Sequence, residues 1–97
     1  MQQIGVHIRD DKGQTIEESA INFADVMEVV YEDTDYKNKY PLLATVDPYD
    51  DTIFNSLQVA ELVRELNMLP PRVAAIKDSI ALLSKLGQSQ YVGFFGD

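Results

Sequence analysis

Apolar and polar residues alternate from Gln2 to Arg9. Ile4, Val6 and Ile8 fall on one side, and Gly5, His7 and Arg9 on the other. That two-residue period is the pattern of a half-buried strand. Asp10-Asp11-Lys12-Gly13 follows as a turn. Gln14 to Glu18 stays ambiguous, because one β-branched pair, Thr15 and Ile16, is thin support for a second strand. The period then lengthens. Phe23, Val26, Met27, Val30 and Tyr31 recur at three and four residues, which predicts a helix near 22–31. Asn22 is placed to cap it, and Asp25 suits the positive end of its dipole. Its valines leave strand as the competing reading. Glu32 to Lys39 is polar and reads as an exposed loop.

Alternation returns after Tyr40. Leu42, Ala44 and Val46 face one way, Leu43 and Thr45 the other. Asp47-Pro48-Tyr49-Asp50 is a turn in which Pro48 fixes φ and Asp47 bonds the backbone two residues on. Thr52-Ile53-Phe54 reads as a returning strand, so a hairpin is predicted from about 41 to 54. Asn55-Ser56-Leu57-Gln58 has the form of a capping box. The helix it opens carries Leu62, Val63 and Leu66 on one side and stops near 67–69, ahead of Pro70. Pro71 fits the first position of a second helix, with Val73, Ile76, Ile80 and Leu83 as its stripe and Gly87 as a left-handed cap. A link this short predicts an antiparallel helical hairpin. Gln90 to Phe95 is a strand with both faces partly apolar, hence an interior one. The expected architecture is α+β: one domain over 1–97, with a mostly antiparallel sheet of about four strands packed on one face by the helical hairpin.

Charge sharpens this picture more than composition does. The net charge is −8, from 16 acidic and 8 basic side chains. Residues 1–52 hold 12 of the acids and 4 of the bases, so the whole excess lies in the first half. Such a field opposes nucleic acid and acidic membrane surfaces, and it attracts a basic protein. Acidic excess also serves plain solubility. With no cysteine there is no disulfide and no thiolate metal site. No apolar run is long enough to span a membrane. The first residues lack the form of a secretory signal, so a cytoplasmic setting is expected.

The chemistry-bearing residues are few. Asp47, Asp50 and Asp51 crowd one turn, as carboxylates that hold a cation or share acid and base work do. The spacing is not that of a calcium loop, and Asp47 already has a turn to order. His7 is the single histidine and would need a carboxylate within hydrogen-bond reach to act as a base. Tyr49 at the turn, with Tyr31, Tyr36 and Tyr40 around the acidic loop, has the composition of an interaction surface. Tyr40 and Tyr31 also suit a partly buried core role.

The run Leu42 to Asn55, with Phe94-Phe95-Gly96-Asp97, resembles a pattern in small bacterial proteins of uncharacterised function. Those read Asp-Pro-Tyr-Gly-Asp-Thr at the turn, then Phe-Asn-x-x-Gln, and end in aromatic-Gly-Asp. Asp50 stands here where they carry glycine. The resemblance implies no catalytic residue. It implies that the turn and the C-terminal Gly-Asp belong to one feature.

Three readings follow. The first is a non-enzymatic, immunity-like antagonist that binds a basic protein through Asp47, Tyr49, Asp50 and Asp51, with Glu32, Asp33 and Asp35. It needs no metal or other cofactor. The second is a small enzyme or metal-binding protein using His7, Asp47 and Asp51. The third is a structural homodimer, sealed by the C-terminal strand or the helical hairpin.

Overall fold

Ile4, Val6 and Ile8 are buried and Gly5, His7 and Arg9 half-buried along the first strand, β1 (Ile4–Arg9), so the alternation sets its two faces. A computed structural model describes residues 3–96. Gln2 of the expected first strand and Asp97 of the C-terminal Gly-Asp lie outside the described residues. β2 (Thr15–Ser19) pairs antiparallel with β1. The turn between them is held by the Asp10 carboxylate, which accepts the N–H groups of Lys12 and Gln14 at 2.9 Å each. Gly13 sits there at φ 81°, a region open to glycine at little cost. Ile8 stands opposite Glu17 but Arg9 opposite Thr15, so Ile16 is the extra residue of a bulge.

The valine-rich segment is a helix, α1 (Ala24–Tyr31). The Asn22 side-chain oxygen accepts the Ala24 N–H at 3.1 Å and the Ile4 N–H at 3.0 Å. One amide thereby caps the helix and ties it to β1. The predicted loop contains one helical turn, α2 (Tyr36–Lys39).

The hairpin expected over 41–54 does not form. Its first arm is a 3₁₀ turn at Leu43–Thr45. Tyr40, Leu43 and Val46 are the buried residues, three apart, which is the 3₁₀ period. The carboxylate of Glu65, itself fully buried, supplies the reason. It accepts the N–H of Leu43 at 2.9 Å and that of Leu42 at 3.1 Å, the donors a helical turn leaves free at its start.

The predicted return strand is present as β3 (Asp51–Phe54). Asn55 and Gln58 form the capping box of α3 (Ser56–Met68) from both sides, at 2.9 and 3.0 Å. The next helix, α4 (Ala74–Leu83), begins later than Pro71, because Arg72 N–H bonds Pro70 C=O at 2.8 Å and Val73 is extended. It ends before Gly87, whose φ is not positive, so the expected left-handed cap is absent.

β4 (Tyr91–Gly96) lies between β1 and β3, as its two apolar faces require. The order is β2-β1-β4-β3, antiparallel throughout. Val6, Phe94 and Phe54 face the helices, with Phe94 packed on Phe23 at 4.4 Å and on Phe54 at 5.7 Å between ring centres. The fold is α+β, with the α3–α4 hairpin and α1 on one side of the sheet. Among the described residues no layer covers the opposite side: Ile53 is 50% and Tyr91 38% exposed there.

Candidate functional site

The Asp47 turn is ordered by its own polar groups. Asp47 Oδ1 accepts the Tyr49 N–H at 2.8 Å, and Thr52 Oγ1 accepts the Asp47 N–H at 3.1 Å. Gly96 closes the turn from the other side. Its N–H donates to Asp50 C=O at 3.2 Å, and a Cβ there would stand 2.3 Å from the Pro48 carbonyl oxygen. The turn and Gly96 are thus one packed unit. Asp50 uses its carboxylate on the adjacent Asp51 N–H, at 2.7 Å. Tyr49 is 72% exposed, too bare for a packing role.

The 3₁₀ turn that leads into Asp47 packs against α1. At the end of α1, Tyr31 meets Tyr36 edge to face, with ring centres 5.1 Å apart. Burial pushes the Tyr31 hydroxyl above its ordinary pKa, and Tyr36 and the Asp47 carboxylate push it the same way.

The other predicted site residues part company with the Asp47 turn. Asp33 takes Lys39 at 2.7 Å and the Asp35 N–H at 2.9 Å; the Lys39 hydrogen bond, foremost, holds its carboxyl below the usual range. Glu32 pairs with Arg72. Asp35 accepts from Asn38 at 2.7 Å. Asp33 and Asp35 order their own loop, and Glu32 ties it to the link between α3 and α4. Asp51 opens β3 opposite Phe95, so it shares the uncovered side of the sheet with Ile53.

His7 lies on that uncovered side too, apart from Asp47 and Asp51; its cross-strand neighbour on β2 is the exposed Glu18. Its ring rests on Phe95 at 4.8 Å, and the Arg9 guanidinium lies over the same ring at 4.7 Å. β4 separates His7 on β1 from Asp51 on β3. Two strand spacings are about 10 Å, far beyond proton-transfer reach. Asp47 belongs to the turn packed on Gly96, three residues along β4 from Gly93, the partner of His7. His7, Asp47 and Asp51 are not brought together, and among the described residues no three His, Asp or Glu gather as metal ligands would.

Sequence reasoning missed two features. The buried Glu65 looked like one more acid on a helix; its sole signal was a charge among the stripe positions of α3. The Arg9–Phe95–His7 stack depends on pairing between the ends of the chain, and only the shared alternation hinted at it. No protein-family model, curated protein or solved structure matches the chain. Among the described residues no helix is long and apolar enough to cross a membrane.

Proposed function

We propose that the chain is a non-enzymatic interaction protein that docks a basic protein surface, in the manner of an immunity-like antagonist. The docking patch is Tyr31, Tyr36, Asp47, Tyr49 and Asp50. One observation carries the reading: Tyr49 and Asp50 stand exposed on an ordered turn, and the 3₁₀ turn before it packs against the helix that ends in the Tyr31–Tyr36 pair. Tyrosine offers large contact area with few rotors to freeze, and its ring face attracts a Lys or Arg cation. The carboxylates add steering toward positive charge. The net charge of −8 extends that steering over the molecule.

A labelled lysine- and arginine-rich peptide, titrated by fluorescence anisotropy, tests this. Affinity should fall steeply between about 0.05 and 0.5 M salt, as the screening length shrinks. Tyr49→Ala should weaken binding by about 1–2 kcal/mol, and Asp50→Lys by about tenfold. Binding that ignores salt, Asp50→Lys and Tyr49→Ala alike would refute the proposal.

A further inference from the structure

We propose that two copies of the chain pair through the uncovered face of the sheet. This stands apart from the basic-partner reading, since it uses the opposite side of the sheet from the helices and none of the five patch residues. The face is built by side chains that alternate away from the core: Gly5, His7 and Arg9 on β1, Tyr91, Gly93 and Phe95 on β4, Asp51 and Ile53 on β3. Its middle is flat. The Phe95 ring lies down over Gly93, where an added Cβ would sit 2.5 Å from the ring. Half-exposed Ile53 and Tyr91 extend this apolar centre.

The charges on the face name the occupant. Arg9 lies at one end, opposite Tyr91; Asp51 lies at the other, opposite Phe95. Four residues of strand, about 13 Å, and a strand spacing or two keep them apart within one copy. Neither is ion-paired among the described residues, and the buried Arg9 Nε has no hydrogen-bond partner. A two-fold axis lying in the face, at right angles to the diagonal from Arg9 on β1 to Asp51 on β3, turns one face end for end. It sets Arg9 of each copy toward Asp51 of the other, twice, around the apolar middle, as an isologous interface requires. Glu18, opposite His7 on β2, sits at one margin, and Asp10 and Asp11 flank Arg9 beside Tyr91 and Ile53 at another.

Pairing by sheet edges is less suited. β2 presents Glu17 and Glu18 beside a bulge, and β3 is four residues long, both guards against edge association. Four strands about 4.8 Å apart and about 3.4 Å of rise per residue give a face of roughly 400 Å² per copy. That is the small end for a specific interface, so the dimer is weak and reversible.

Sedimentation equilibrium of the chain between about 1 μM and 1 mM decides the matter. The expected result is a concentration-dependent monomer–dimer equilibrium. Ile53→Asp should leave monomer throughout, with circular dichroism confirming the fold, since Ile53 is half exposed. Arg9→Glu and Asp51→Arg should each weaken the dimer about tenfold or more, and the double swap should restore it. Monomer over the whole range for the unaltered chain would overturn the proposal. So would a dimer indifferent to Ile53→Asp, or one that the double swap fails to restore.

Discussion

Glu65 shows how one side chain decides local structure at a distance. Its carboxylate is fully buried, yet it is satisfied by the N–H groups of Leu42 and Leu43. Glu65→Ala would strand both donors in the interior. It should cost about 2–4 kcal/mol in urea unfolding, given the price of buried unpaired donors. Glu65→Gln keeps one acceptor oxygen and should lose about half as much; a loss below about 1 kcal/mol for the alanine change would contradict this account. Tyr31 offers a second residue-scale check, at alkaline pH. Its pKa is raised, by burial first and by Tyr36 and Asp47 after it. A raised folded pKa means a stabilising contribution complete below the unfolded value of about 10 and lost as pH rises through the folded one. Asp47→Asn keeps an acceptor for the Tyr49 N–H and removes the charge. Tyrosinate absorbance, with Tyr31→Phe as reference, should then show Tyr31 ionising at lower pH; an unmoved titration would separate Asp47 from the patch.

At the scale of elements, local signals were readable and tertiary ones were not. The Ile4-Val6-Ile8 alternation and the Asn55–Gln58 capping box are set by neighbours in sequence, and both stand in the structure. Asn55→Ala should remove about 1 kcal/mol of stability in thermal or urea unfolding, with Asn55→Gly costing only a few tenths. Equal losses from the two changes would place the effect outside the cap. The 41–46 segment went the other way. Leu42, Ala44 and Val46 fit a strand, but Tyr40, Leu43 and Val46 fit a 3₁₀ turn equally well. An acid on α3 chose between them. Pro71 and Gly87 were placed as helix markers by residue preference, and both stand outside α4. There the extended Val73, and the turn that Leu86 N–H makes to Leu83 C=O, set where the helix runs.

At the scale of the molecule, the layer architecture was legible because the apolar stripes of α3 and α4 need a surface to cover and the strands supply one face. The candidate site was legible only in part. The turn from Asp47 to Asp50 announced itself, but Gly96, which packs against it, comes from the other end of the chain, and the proposed patch adds Tyr31 and Tyr36 from a third segment. The acidic loop looked like the same kind of surface and is occupied with Lys39 and Arg72. What separates a free carboxylate from an engaged one is the position of a base, which no local pattern records.

The place of β4 also bears on how the sheet holds together. β1 and β3 are joined only through Tyr91–Gly96. Without it β1 and β2 are left as a ribbon, and Ile4, Val6 and Ile8 have no Phe94 or Val92 beside them. Loss of that one strand divides the sheet in two.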